Sequence, residues 1–302
     1  MINHKIIVSR TLKPDATKMM EKILFTFAKQ WIAGDTIDDA LKSAKEAYKN
    51  GQHAIINKLG EYNKTQNTIE KTILDYEQII SSFRKWNVRG AISVKPTQVG
   101  MSINKKTCLA SFERLIDFAS KSNVFVWIDM ESSDHTDDTI ELYYDLFSRY
   151  ERIGIAIQAN LKRSYDDIID LVRQGAKIRI VKGAYRENSK IAFKTRKEVD
   201  ENYLNIMKLL FKDANEFGIA THDSKLISNA ISSSKKYPKK FEFQFLKGIR
   251  DELKPDLVKQ GFIVSDYIPY GTNWLPYSIR RLRERKRNIL LLGSSFIQSH
   301  KV

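Results

Sequence analysis

A (β/α)8 TIM-type barrel with a helical arm ahead of it, an α/β fold, is the architecture this sequence predicts, and three observations lead there. Eight short β-rich segments follow one another along the chain, stretches of helical period separate them, and no glycine-rich phosphate-binding turn follows any strand. The last observation argues against a doubly wound open sheet, which uses a G-x-G-x-x-G or G-x-x-x-x-G-K turn to hold phosphates.

Taken in order, the first fifty or so residues, including MMEKILFTFAKQWIAG and DDALKSAKEAYKNG, space their apolar side chains at three and four. That is the amphipathic helix period, and it predicts a helical arm over 1–52. The remainder, 53–302, reads as one barrel domain. Its strand candidates are AIINKLGEY (54–62), AISVKP (91–96), NVFVWIDM (123–130), GIAIQAN (154–160), KIRIVKG (177–183), GIATH (218–222), FEFQFLKG (241–248) and FIVSDYIPYG (262–271). Between them, NTIEKTILDYEQIISSFRKW, TCLASFERLIDFASKS, DTIELYYDLFSRYERI and YDDIIDLVRQG carry the helix period. Parallel strands need a crossover connection, so regular alternation is what a closed parallel barrel demands.

With 42% apolar and 29% charged residues, and only 13 Gly and 6 Pro in 302, the chain has ample material for a core. Its one cysteine, Cys108, cannot form an internal disulfide, and its five histidines stand far apart without cysteine partners, so a reducing, cytoplasmic setting without a structural metal is expected. The start MINHKIIVSR lacks the apolar core of a signal peptide, and no apolar run reaches the roughly 18 to 20 residues a bilayer needs. The formal charge of +15 favours anionic partners, but KKTC, SSSKKYPKK and RKEVDENY place much of it on solvated helix faces.

Barrel enzymes collect their reactive groups at the carboxyl ends of the strands. Here those ends carry Lys95, Asp129, Gln158, Lys182, His222 and Tyr267. Arg179 differs in lying inside KIRIVKG, where a charge needs a buried partner or a bound anionic group, or must face outward toward a helix carboxylate. Beyond the last strand, Tyr277, Arg280, Arg281 and Glu284 recur at i, i+3, i+4 and i+7, hence on one helix face. Two adjacent guanidinium forks make a clamp for a carboxylate or phosphate, although the neighbouring Arg283, Arg285, Lys286 and Arg287 also fit a basic solvated helix.

RIVKGAY (179–185), ATH (220–222), FEFQFLKG (241–248) and Y-x-P-x-G with W-x-x-Y-x-x-R-R-L-x-E (267–284) together resemble proline dehydrogenase. SVK, ID, IQA, NKLGEY and TRKEVDENYL agree more weakly, and the likeness runs from about residue 54 to residue 290. The resemblance implies a distorted (β/α)8 barrel and oxidation of L-proline to Δ1-pyrroline-5-carboxylate by noncovalent FAD, with electrons passed on to a quinone. It places Arg179 near the flavin N5 and makes Gln158, Lys182, Thr221, His222 and Glu284 further FAD contacts. Lys95, Arg280 and Arg281 would hold the substrate carboxylate, while Asp129, Tyr185, Leu246, Tyr267 and Tyr277 complete the proline pocket. The chain departs from the family's usual pattern at Asn160, Arg186 and Asp223. No base for the substrate amine is identified.

Two other functions compete with this reading. A relative acting on trans-4-hydroxy-L-proline would use the same fold, but Tyr267 is expected to fill the space its hydroxyl needs. A basic nucleic-acid-binding protein would suit RRLRERKR, but no helix-turn-helix, zinc-finger or RNP-type signature accompanies it, so no nucleic-acid partner is expected. The C-terminal run RRLRERKRNILLLGSSFIQSHKV, basic and then apolar, fits an anionic membrane surface at the inner face of the cell membrane as well as it fits packing on the barrel.

Overall fold

The computed structural model describes residues 28–281, and within them the eight strands close into one parallel barrel in sequence order. The chain enters through α1 (Ile37–Lys49), then alternates β1 (His53–Lys58), α2 (Gln66–Lys85), β2 (Gly90–Val94), α3 (Lys105–Lys121), β3 (Phe125–Ile128), α4 (Thr136–Phe147) and β4 (Ile153–Gln158). It continues through α5 (Ser164–Arg173), β5 (Ile178–Val181), α6 (Arg196–Asp213), β6 (Glu216–Ala220), α7 (Ser224–Lys236), β7 (Lys240–Leu246), the short α8 (Lys254–Lys259) and β8 (Ile263–Tyr270). Residues 274–281 are again helical.

Closure rests on β1 pairing with β8, Ile55 opposite Tyr267 and Lys58 opposite Tyr270, so no sheet edge is left bare. The strands alternate strictly. On β7, Phe241 and Phe243 point outward onto Phe211 and Phe262, while Glu242, Gln244 and Leu246 point inward. Gly154 makes room for the Trp127 ring inside the barrel, since a Cβ there would come within 2.4 Å of it. Local signals set the helix starts: Thr36 with Asp39 and Thr195 with Glu198 form reciprocal capping boxes on α1 and α6.

Several strands are shorter than the sequence reading. The first ends at Lys58 rather than residue 62, because the chain turns away at Gly60 and at Tyr62, whose φ is 60°. The arm is helical over Ile37–Lys49, but residues 28–36 form a turn and then run irregularly beside the top of β8, where Ala33 N–H donates to the Pro269 carbonyl at 2.8 Å. Residues before 28 and after 281, including Glu284 and the basic and apolar tail, lie outside the described residues.

The helix α1 takes a place in the layer of helices around the barrel. Its buried Ala40, Leu41, Ala44 and Ala47 pack on β1 and β8, the groove that a helix following β8 would ordinarily cover. The chain after β8 is therefore free to fold across the carboxyl mouth of the barrel. There Trp31 Nε1 donates to Ser278 Oγ at 3.0 Å, and Ala28, Trp31, Ile32, Leu59 and Tyr277 form a small apolar cluster of their own.

Candidate active site

All the candidate residues read from the sequence within residues 28–281 surround one cavity of about 500 Å³ at that mouth. Lys95 and Asp129 stand just beyond β2 and β3, Gln158 closes β4, Arg179 lies within β5 with Lys182 just after it, and Thr221 and His222 follow β6. Tyr185, Leu246, Tyr277, Arg280 and Arg281 complete the wall. Tyr267 needs a correction: it sits three residues inside the end of β8, not at its tip, and reaches the cavity because its strand position faces inward.

Asp129 is the electrostatic centre of the floor. Its Oδ1 accepts from Ser93 Oγ at 2.6 Å and Arg179 Nη1 at 2.8 Å, and its Oδ2 accepts from Tyr267 at 2.7 Å with Lys95 Nζ at 3.4 Å. Burial disfavours its charge, but Lys95 and Arg179, with the hydroxyls of Ser93 and Tyr267, outweigh that and hold the carboxyl below the usual carboxylate range. The converse holds for Lys95, whose burial is outweighed by Asp129, so its ammonium is kept above the ordinary range.

Arg179 is only 3% exposed, which rules out the outward-facing alternative. Its guanidinium lies 4.5 Å from the Trp127 ring centroid and 5.6 Å from that of Tyr267. Nη1 also donates to Ser93 Oγ at 2.9 Å, yet Nε and Nη2 are buried without a hydrogen-bond partner among the described residues. Two unmet donors on a residue that lines the cavity call for an acceptor-bearing ligand, since a buried unmet donor is costly.

At the rim the two arginines differ. Arg281 is buried, with its guanidinium 5.4 Å from the Tyr277 ring centroid. Arg280 is half-buried and donates from Nη2 to Glu61 Oε1 at 3.1 Å, the same oxygen that accepts from Tyr185 at 3.0 Å. Glu61 was not singled out by sequence reasoning, though a carboxylate in NKLGEY just past the first strand was its signal. Lys182 is held by Asp200 at 2.5 Å and Asp223 at 3.0 Å. Arg196 also reaches Asp223, at 2.7 Å. The His222 ring accepts the Leu246 N–H on Nε2 at 2.9 Å; burial, then Arg281, Lys254, Arg250 and Lys182, push its pKa down to about 3. The imidazole is neutral, and with Nε2 accepting, its proton is assigned to Nδ1.

Glu131 lies beneath this rim, fully buried, accepting Thr97 N–H at 2.9 Å and Thr97 Oγ1 at 2.6 Å. Its carbonyl accepts from Gln158 Nε2 at 3.0 Å, and Thr97 Oγ1 in turn accepts the Tyr62 N–H at 3.0 Å. Burial pushes its pKa up to about 7 despite the Thr97 donors.

A closed parallel barrel with buried cations and an aromatic wall at its carboxyl end has the form of a barrel enzyme for a small carboxylate-bearing substrate. The proline dehydrogenase family model matches residues 40–290, and the chain belongs to that family, an oxidoreductase family. Proline dehydrogenase 1 of Bacillus subtilis (strain 168) is 31% identical over 264 residues, 86% of this chain and 87% of that one. Proline dehydrogenase of Deinococcus radiodurans is 27% identical over 292 residues, 94% of both chains. Among solved structures, proline utilization A from Bdellovibrio bacteriovorus inactivated by N-propargylglycine superposes with a TM-score of 0.79 at 23% identity. That match covers 88% of this chain and 33% of the larger one, and it bears on the fold.

Proposed function

We propose that the cavity holds FAD and oxidises L-proline to Δ1-pyrroline-5-carboxylate, with family membership as the frame and Arg179 as the observation that carries the reading. A guanidinium locked by Asp129 and Ser93 in the wall of the cavity, with Nε and Nη2 buried and without a hydrogen-bond partner among the described residues, suits an electron-rich heteroaromatic ring bearing acceptor atoms. The small inward side chains of Ala156, Val181 and Ala220 leave room for such a flat ring beside it. Gly183, whose φ is 107° and where a Cβ would meet Asn160 Oδ1 at 2.3 Å, brings bare backbone to the same wall. Gln158, Lys182, Thr221 and His222 are the further side chains that would hold the cofactor. Bound there, FAD supplies the two-electron acceptor that side chains cannot.

The chain's own residues bind and orient. Arg281 and Lys95 face the cavity with Arg280, and three cations converging on one carboxylate fix the proline ring in a single orientation. Arg280 is shared with Glu61, so substrate entry exchanges one carboxylate for another on this guanidinium. Tyr185, Leu246, Tyr267 and Tyr277 exclude water from the ring, and Asp129 keeps the phenol of Tyr267 and the guanidinium of Arg179 in place. Hydroxyproline is the second reading, and the hydrogen bond from Tyr267 to Asp129 opposes it by pinning the phenol where a ring hydroxyl would need room.

Electrons would pass on to a quinone, and a quinone-coupled enzyme would work at the inner face of the cell membrane. None of the described helices is long and apolar enough to cross a bilayer. The test is anaerobic: purified protein should absorb near 450 nm, and L-proline should bleach that band with a higher kcat/KM than hydroxyproline. A folded, colourless protein that takes up no FAD overturns the proposal.

A further inference from the structure

We propose that Gln244, oriented by Glu242, is a binding residue of this cavity that offers one carbonyl acceptor to an N–H donor of the bound cofactor or substrate. The inference rests on the functional reading above and deepens it.

The inward face of β7 is unusual for a barrel interior in carrying Glu242 and Gln244 in succession. Gln244 is 3% exposed and lines the cavity. Its Nε2 donates to Glu242 Oε1, and Ser265 Oγ donates to Glu242 Oε2 at 2.5 Å. A carboxylate accepts and cannot donate, so the pair leaves the amide only one favourable orientation. Turning it over would set oxygen against oxygen. The carbonyl Oε1 is thereby directed away from Glu242, and it is buried without a hydrogen-bond partner among the described residues. Room for the amide is also provided: the strand position beside Glu242 is Gly218, where a Cβ would come within 2.7 Å of Gln244 Nε2.

A lone buried acceptor, fixed by a charge behind it, selects a donor. The cation-rich rim is suited to carboxylate, so the complementary group at the floor is an N–H. It belongs either to the isoalloxazine ring or to the ring amine of the substrate, and Glu242 acts on it through Gln244 as a positioning residue.

The experiment compares wild type with Gln244→Leu, which removes the acceptor, and Glu242→Gln, which keeps the contacts but lets the amide turn over. FAD affinity is measured by reconstitution of each protein, and the affinity of each holoprotein for L-proline is compared with that for its oxygen isostere, tetrahydro-2-furoate, which has no N–H. Loss of one hydrogen bond should weaken binding by about tenfold. If the donor is on the cofactor, FAD dissociates about tenfold more readily from both variants and the proline-to-isostere ratio is unchanged. If it is on the substrate, FAD affinity holds and that ratio falls about tenfold. Either result supports the proposal. Wild-type FAD affinity together with a wild-type ratio in both variants overturns it while leaving the functional reading intact. A wild-type protein that binds neither FAD nor proline overturns that reading and this proposal together.

Discussion

Asp129 accepts from Ser93, Arg179 and Tyr267 on three strands and from Lys95 just beyond β2, and among the described residues no other carboxylate pairs with Arg179. Removing one member of a buried ion pair leaves the other uncompensated, which typically costs about 3–5 kcal/mol. Asp129→Ala should therefore lower stability by about that amount in urea unfolding, whereas Tyr267→Phe, which deletes one hydrogen bond, should cost about 1 kcal/mol. Equal midpoints for Asp129→Ala and wild type would show that Arg179 finds another partner. If Arg281 binds the substrate carboxylate, Arg281→Met should raise the proline KM and lower kcat/KM by about 2 to 5 kcal/mol in transition-state binding. An unchanged KM returns Arg281 to a packing role. Two buried groups also make stability depend on pH in opposite senses. His222 has a folded pKa of about 3 against an ordinary 6.5, so the unfolded chain binds more protons between those values and its stability contribution is lost as pH falls. Glu131, raised from 4.5 to about 7, binds its proton more tightly when folded, so its contribution is lost as pH rises through that window. Denaturation midpoints across pH 3 to 7 should show a shallower acid-side loss in His222→Asn, and a smaller decline toward pH 7 in Glu131→Gln.

The helix at 274–281 carries Tyr277, Arg280 and Arg281 to the cavity, yet little of it belongs to the barrel. What seats it is the arm segment before α1: Trp31 donates to Ser278, and Trp31 and Ile32 pack beside Tyr277. Gly248 belongs to the same arrangement, because its φ is 70° and a Cβ there would meet the Gln30 carbonyl at 1.6 Å. Trp31→Phe keeps the apolar contact and deletes the hydrogen bond. It should raise the proline KM severalfold while the far-ultraviolet circular dichroism and the unfolding midpoint stay near wild type. A mutant whose KM is unaltered would show that apolar packing alone seats the helix.

For the molecule as a whole, α1 completes the outer helical layer. It packs Leu41, Ala40 and Ala44 into the main core that also holds Ala54 and Ile56 of β1 and Val264 and Ile268 of β8, with Ala47 buried beside them. At about 1.5–3 kcal/mol for each large apolar side chain uncovered, the loss is comparable with a typical net stability of roughly 5–15 kcal/mol. A chain beginning at His53 should therefore fail to give a cooperative unfolding transition, although all eight strands remain. A sharp thermal transition at the wild-type temperature in that truncated protein would make the arm an accessory instead.

Much of this was legible from local pattern. The period of apolar side chains and the punctuation by turns report on residues a few positions apart, so eight strands, their order and the cluster of ionisable groups at their ends could be read directly. Arg179 was conspicuous because a charge inside an apolar strand violates the local rule. Its partner was not legible, since Asp129 lies 50 residues away and only barrel closure brings the two side chains within 2.8 Å. The pairing of Glu61 with Arg280 across 219 residues, the inward position of Tyr267 and the single orientation of the Gln244 amide have the same origin. Each depends on strand register and on which face of a strand turns inward, quantities set by long-range packing rather than by neighbouring residues. The chain's composition likewise carried no sign that the helix before β1 takes the layer position left by the one after β8. That exchange follows from competition for one groove between β1 and β8, and it frees the final helix to bring its arginines over the mouth.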